Sequence, residues 1–378
     1  MDTKNVYFIV LACPVLLNAR NMITTALVTS LRTTPTHYNP LKGPDKTLSK
    51  KIFGKSYTRF IKFLSPQLRD PEQSSQLLYN EPIICLEECE HGWLHVKLPE
   101  QYGYNVHTQQ FEHIQGYIHK NDAYILDKPY KKNCVVNQPS AVIHFKNGTQ
   151  KTIPMGTKLR CIKKNKTHII ILLPDKCRGT MKLADVYPIT KHIQETEQSL
   201  RSTIIMNAHK LLGATYCWGG RSPELFTSEH CAASCDCSGL INLSYRAAGL
   251  ELPRNAHPMW LRSKKIKEGK ELQSGDLIFL AHPEQPKQVC HVLMYVGNEM
   301  IIESCISKGI VLMKTDTRFK KPVASIKYGD IIKMPGNEPT QYVIYFGSYL
   351  SDAKRVQYMR DYALGNYNVT RWVYDEKK

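Results

Sequence analysis

A change of periodicity near residue 192 constrains the fold more than any other feature of the chain. Residues 76–190 are a succession of short apolar runs separated by turn signals. QLLYNEPIICLEE leads to the turn EHGW, then LHVKL, a polar loop at 99–112 and GYIHKNDAYIL. From residue 134 the pattern repeats as CVVNQPSAVIHF, the turn KNGT, GTKLRCIKK, THIIILL and MKLADVYPI. Runs this short, rich in β-branched residues and bounded by Gly, Asn and Asp, form antiparallel strands. Two such series predict two small all-β barrels in tandem. The first is expected over 1–126, with a strand from 1–40 and a basic insertion at about 41–75; the second over 127–191.

Beyond residue 192 the spacing becomes helical. Leu200, Ile204, Ile205, Ala208, Leu211 and Leu212 share one face, and Gly213 is a natural stop. CDCSGLINLSYRAAGL (235–250) opens a second helix, with Leu240, Leu243, Ser244 and Ala247 on one side and Gly249 as its end. GDLIFLAH (275–282), HVLMYVGN (291–298) and GNEMIIESC (297–305) read as strands, with Gly297-Asn298 turning a hairpin. Helices followed by antiparallel strands predict an α+β unit over 192–332. Residues 333–378 carry no motif and read as a C-terminal extension without an assigned role.

A chain of 378 residues fits two or three such domains and can bury a core without staples. Its net charge of +18 favours acidic partners. Basic residues gather at 42–62 and 158–173, but no nucleic-acid-binding signature accompanies them, so no nucleic-acid partner is expected. The 12 cysteines are scattered, several inside apolar runs such as PIICL and LRCI. There they read as small buried hydrophobes of a reducing, cytoplasmic compartment. VYFIVLACPVLL (6–17) reads as a strand, with an exported leader in residues 1–20 as the alternative. No segment approaches the ~18 apolar residues of a membrane span.

Cysteine attacks as the thiolate, and a helix N-terminus favours that anion. Cys237 stands where the second helix begins, after Asp236 as N-cap and before Ser238-Gly239; Cys235 lies outside the helix. A thiol nucleophile needs a base, usually His, oriented by a third group. His257, His282 and His291 follow downstream. His291 starts a strand, and Glu303 lies across the hairpin inside an apolar run, where a carboxylate needs a partner. Cys231, Cys235 and Cys237 with His230 lack the second Cys/His pair of a zinc site, so neither metal nor cofactor is expected.

YCWGGRS (216–222), DCSGL (236–240), LPRNA (252–256), GDLIF (275–279) and HVLMYVG (291–297) together resemble the NlpC/P60 family of papain-like cysteine peptidases over roughly 195–332. The resemblance implies Cys237 as nucleophile, His291 as base and Glu303 as the residue orienting it, with Tyr216 and Trp218 beside the nucleophile. Asp236, Ser238 and Asn255 are the further substrate-binding candidates. The two barrels resemble SH3b domains, and the layout resembles γ-D-glutamyl-L-diamino-acid endopeptidases, which cleave peptidoglycan stem peptides. In those enzymes an acid in a segment like QLLYNE reads a free N-terminal L-Ala, which makes Glu81 a candidate. The resemblance therefore implies a monomeric hydrolase acting on stem peptides or muropeptides. A non-catalytic wall-binding protein, or a papain-like acyltransferase or amidase, is the alternative. Three positions depart from the pattern: Glu303 replaces the commoner His, Asn255 replaces an Asp, and the loop 225–234 is long.

Overall fold

The computed structural model describes residues 19–35, 72–126, 130–192, 195–228, 231–335 and 340–370. The run at 6–17 and most of the expected basic insertion lie outside the described residues. The chain is mostly antiparallel sheet with few helices, arranged as two all-β units and a mixed unit.

The first unit contains β1 (Arg20–Thr24), β2 (Val28–Arg32), β3 (Gln73–Leu78), β4 (Pro82–Glu88), β5 (Trp93–Asn105), β6 (Gln110–His119) and β7 (Ala123–Ile125). They run in the order β3-β2-β6-β5-β4-β1-β7 around Leu31, Leu77, Ile83, Val96 and Ile118. Residues 73–75 are therefore strand rather than insertion. The polar loop expected at 99–112 is also largely strand, since β5 continues to Asn105 and β6 starts at Gln110. Polar residues hid it. Glu100 and Gln101 are buried there, in a register shift of β5 that turns them towards the rest of the molecule.

The second unit contains β8 (Cys134–Val136), β9 (Ser140–Phe145), β10 (Gln150–Pro154), β11 (Lys158–Lys164), β12 (His168–Leu172), β13 (Arg178–Lys182) and β14 (Val186–Pro188). Their order is β10-β9-β13-β12-β11-β8-β14, around Ile143, Ile153, Leu159, Ile169, Ile171 and Met181.

The third unit opens with α1 (Glu197–His209), α2 (Cys237–Arg246) and α3 (Ala256–Arg262). Its strands are β15 (Lys264–Ile266), β16 (Leu277–Ala281), β17 (Val289–Gly297), β18 (Met300–Cys305) and β19 (Gly309–Lys314). After α4 (Thr315–Phe319) come β20 (Ile331–Lys333), β21 (Gln341–Ser348) and α5 (Ala353–Ala363). The sheet order is β15-β21-β16-β17-β18-β19, with β20 on β21. The β17–β18 hairpin turns through Asn298 and Glu299, both at positive φ, as a two-residue loop requires.

The described part of the expected C-terminal extension, residues 333–335 and 340–370, is thus not an appendage. β21 lies inside the sheet between β15 and β16, and α5 ties the units together. Tyr362 donates to the Pro99 carbonyl at 2.6 Å, and the Lys158 ammonium donates to the Ala363 carbonyl at 3.0 Å. The end of this unit escaped the sequence reading because its strand returns to the sheet late, after the motif-bearing elements.

Every residue of α2 is buried, not only the apolar side legible in sequence. One side packs on β17 and β18, and the opposite end meets both β units through buried charge. Arg246 lies 3.0 Å from Glu81 and 2.5 Å from Glu100, both of the first unit. Lys132 and Lys158 of the second unit reach Glu100 at 3.0 and 3.3 Å, and Lys158 reaches Glu251 at 2.8 Å. Arg246 also pairs with Glu251, and Arg221 with Glu81. Burial by itself raises the Glu100 carboxyl, but the three cations outweigh it and hold the group well below the usual carboxylate range.

Replacing Glu100 by Gln leaves Lys132, Lys158 and Arg246 short of a buried counter-charge. The expected loss is about 3–5 kcal/mol. Urea unfolding checks it, and an unchanged midpoint would refute the network's role. The stability contributed by Glu100 is present above its unfolded pKa and is lost as pH falls through its depressed folded value.

Candidate active site

The start of α2 is built by contacts between two distant sequence segments. Asp236 has extended backbone and accepts the Gly239 N–H at 2.6 Å, so it caps the helix. Its own N–H donates to the Gly220 carbonyl at 3.1 Å. That carbonyl lies so near Gly239 that a Cβ there would stand 2.0 Å from it. The YCWGGRS loop and the DCSG turn therefore fit only with glycine at 239. Arg254 locks the corner, with Nη2 2.9 Å from Asp236 Oδ2 and Nη1 3.0 Å from Ser238 Oγ. Its Nε donates to Ser75 Oγ of β3 at 2.8 Å.

Cys237, the first residue of α2, opens into a cleft of about 590 Å³. Cys235 does not reach it. That residue is fully buried, its thiol faces the Ser222 carbonyl, and burial followed by the Asp236 charge pushes its pKa up to about 12. The first β unit closes one side of the cleft with Thr33, Gln73 and Ser74. Gln73 also donates to the Trp218 carbonyl at 2.6 Å, which fixes the loop before the helix.

His291 on β17 lines the same cleft wall as Cys237, near enough for the two charges to interact. Its Nε2 lies 2.8 Å from Glu303 Oε2 on β18, which leaves Nδ1 for the sulfur. The other oxygen of Glu303 lies 2.8 Å from Arg318 Nε on α4. Burial works against the charged imidazole, yet the Cys237 thiolate and then Glu303 outweigh it and raise the pKa to about 9. Burial likewise raises Glu303, but His291 and Arg318 win and keep it ionised. A thiol, an imidazole and a carboxylate thus stand in series along one wall of the cleft.

Tyr216 and Trp218 line the same cleft. Burial, then the nearby Cys237 and Asp236 charges, raise the Tyr216 phenol well above its usual value, so it remains an O–H donor. Asn255 stands exposed at the rim before α3, its amide making no capping bond. Asp236 and Ser238 also line the cleft, but Arg254 and the helix N-terminus occupy their polar atoms. Glu81 is a correction. It does not line the cleft; its carboxylate is buried in the charge network against Arg221 and Arg246 and also accepts from Gln101 at 3.1 Å.

Two residues escaped the sequence reading. Arg254 lies within a quoted motif, but nothing in LPRNA reveals that its guanidinium is buried on Asp236. Arg318 sits in TRFKK, which reads as a solvated charge run. Among the described residues no group of three or more His, Cys, Asp or Glu is placed to hold a metal ion. His230 lies outside the described residues.

Residues 213–326 match the model of the NlpC/P60 family. The chain is 39% identical over 102 residues to the bifunctional muramidase/DL-endopeptidase CwlT of Bacillus subtilis, covering 27% of this chain and 28% of that protein. It is 25% identical over 261 residues to the gamma-D-glutamyl-L-lysine dipeptidyl-peptidase of the same organism, covering 67% of this chain and 80% of that protein. The chain thus spans less than a third of the length of the first relative and most of the second. A solved NlpC/P60 family protein from Bacillus cereus shares the fold with a TM-score of 0.60, over 81% of this chain and 97% of that one, at 18% identity. The loop, helix and hairpin that bring Cys237, His291 and Glu303 together fall inside the matched segment, and residues 213–326 are an NlpC/P60 domain.

Proposed function

We propose that the chain is a cysteine endopeptidase that hydrolyses the γ-D-glutamyl–diaminopimelate bond of peptidoglycan stem peptides. The observation that carries this reading is the series Cys237–His291–Glu303 on the wall of an open cleft. The names of the relatives, a DL-endopeptidase and a gamma-D-glutamyl-L-lysine dipeptidyl-peptidase, support the same bond class. In this reading the two β units are SH3b-like barrels that narrow the cleft, and the third unit is papain-like.

The steps follow from the geometry. His291 takes the thiol proton, and the thiolate attacks the carbonyl carbon of the amide. N–H groups at the start of α2 receive the developing oxyanion. The imidazolium then donates its proton to the departing amine, leaving a thioester on Cys237. His291 next removes a proton from water, whose oxygen attacks the thioester and frees the acid. Glu303 keeps the ring aimed at the sulfur throughout and balances the imidazolium charge.

The deciding measurement is mass spectrometry of L-Ala-γ-D-Glu-diaminopimelate before and after incubation. Release of L-Ala-D-Glu is expected, and Cys237→Ala should abolish it. Undiminished turnover by that variant would leave the non-catalytic, wall-binding reading standing.

The imidazolium sets the upper pH limit. Because the folded pKa of His291 is raised to about 9, the charged ring persists through neutrality and is lost as pH rises through that value. The kcat/KM profile should therefore fall near pH 9. Glu303→Gln should move that limb downward by roughly one pH unit or more, since an anion favouring the charged ring is removed. A limb unmoved by that substitution would deny Glu303 its role.

The cleft also bears on the N-terminus of the substrate. Asp236 is the one carboxylate among the described residues lining it, and Arg254 already neutralises that charge. Acetylating the substrate amine should change kcat/KM by less than about threefold, well short of the loss expected from a broken charged hydrogen bond. A hundredfold loss would reveal an ammonium site.

A further inference from the structure

We infer that Arg318 reads a carboxylate on the leaving side of the scissile bond, and so selects diaminopimelate over lysine at that position. The inference rests on the peptidase reading above. It begins with direction. His291 must deliver its proton to the departing amine, so the leaving residue lies on the His291 side of Cys237. Continuing away from the sulfur, the order is His291, Glu303, Arg318, with contacts of 2.8 Å at each of the last two steps. Tyr216 and Trp218, on the loop before α2, line the cleft as well.

Arg318 is suited to the task in three respects. It lines the cleft with its side chain 21% exposed, whereas the Glu303 carboxylate it grips is 1% exposed. It is the one Lys or Arg among the described residues that lines the cleft, since Arg254 is wholly buried behind Asp236. His257, which also lines the cleft, is pushed down by burial and then by Lys265, so it supplies no fixed charge at neutral pH. Finally, the guanidinium is only partly used. Its Nε faces Glu303, and Nη1 donates to the Met334 sulfur at 3.5 Å. Nη2 has no protein partner among the described residues. A guanidinium held by its ion pair with Glu303 and by the Nη1 contact with Met334 presents a planar donor group, which a flexible ammonium does not.

Diaminopimelate and lysine differ at the end of the side chain, where the former carries an extra carboxylate. An arginine on that side gains a charged hydrogen bond from diaminopimelate and faces an ammonium in lysine. The same guanidinium holds Glu303, so occupancy by the correct residue and orientation of the base share one side chain.

The test compares three substrates of the form L-Ala-γ-D-Glu-X, with X as diaminopimelate, diaminopimelate amidated on its side-chain carboxylate, or L-Lys. For the wild type, kcat/KM should favour the free diacid over its amide by about tenfold or more, the range of a charged hydrogen bond. Arg318→Gln should collapse that ratio towards one, and Arg318→Lys should retain part of it. Equal wild-type rates on the acid and the amide would overturn the inference while leaving the peptidase reading intact. So would an Arg318→Gln variant that slows all three substrates alike, because that marks support of Glu303 alone. Failure of the wild type to cleave any of the three would refute the peptidase reading, and the inference with it.

Discussion

The buried charge network around Arg246 is the constraint on which the other contacts rely. One helix carries both the candidate nucleophile and the anchor of the assembly. Cys237 is the first residue of α2 and Arg246 the last. Glu81 and Glu100 hold Arg246 from the first unit, while Lys158 of the second unit reaches Glu251 beside it. Neither β unit can shift without uncovering charge in a region that excludes water, which costs several kcal/mol per unpaired ion. The position of the first unit relative to α2 is therefore fixed, and with it the wall of the cleft formed by Thr33, Gln73 and Ser74. A second set of contacts repeats the attachment nearer the thiol. Gln76 accepts the Arg221 N–H at 2.8 Å and donates to the Ala232 carbonyl at 2.6 Å, so β3 braces both ends of the loop that leads into the DCSG turn.

What could be read from sequence follows from the range of the interactions involved. The helices and the hairpin were legible because their signals are local. Asp236 caps from the adjacent position, Gly213 and Gly249 end helical patterns, and the Gly297-Asn298 signal falls one residue before the observed Asn298-Glu299 turn. The pairing of His291 with Glu303 was legible too, because a hairpin makes the cross-strand neighbour a function of turn position. Burial across units was not legible. Glu81 reads as an exposed acid on a strand end, and only the approach of Arg221 and Arg246 from residues more than a hundred positions away turns it into a core ion. The same cause hid Glu100 and Gln101, whose polarity made a strand resemble a loop. Arg318 was hidden in another way: α4 is five residues long, and nothing in a short basic run marks which cation turns inward.

The choice of glutamate at 303 acquires a physical meaning once Arg318 is in view. A neutral group on β18 could orient the ring of His291 by one hydrogen bond and need nothing behind it. A carboxylate does more, because it also stabilises the charged ring, but it must itself remain ionised while almost wholly buried. Arg318 meets that requirement from the far side. The pair sets an imidazole, a carboxylate and a guanidinium in series, with opposite charges adjacent. Each member lowers the cost of burying the next, and the last is exposed enough to be screened by solvent.

The distribution of charge separates two questions that net charge confounds. A total of +18 suggests an anionic substrate, yet residues 130–192 alone hold thirteen Lys and Arg against two acidic residues. Most of that excess is on the exposed surface of the second unit, where Arg160 and Arg178 flank Leu172 across three neighbouring strands. None of those residues lines the cleft. At physiological salt the field of an exposed charge fades over about 8 Å, so this surface contributes little to what the cleft selects. Within the cleft the balance is close to neutral, because Asp236 is matched by Arg254 and Glu303 by Arg318. Selectivity there must come from individual, oriented groups, and the bulk basicity of the chain belongs to the outer face of the second sheet.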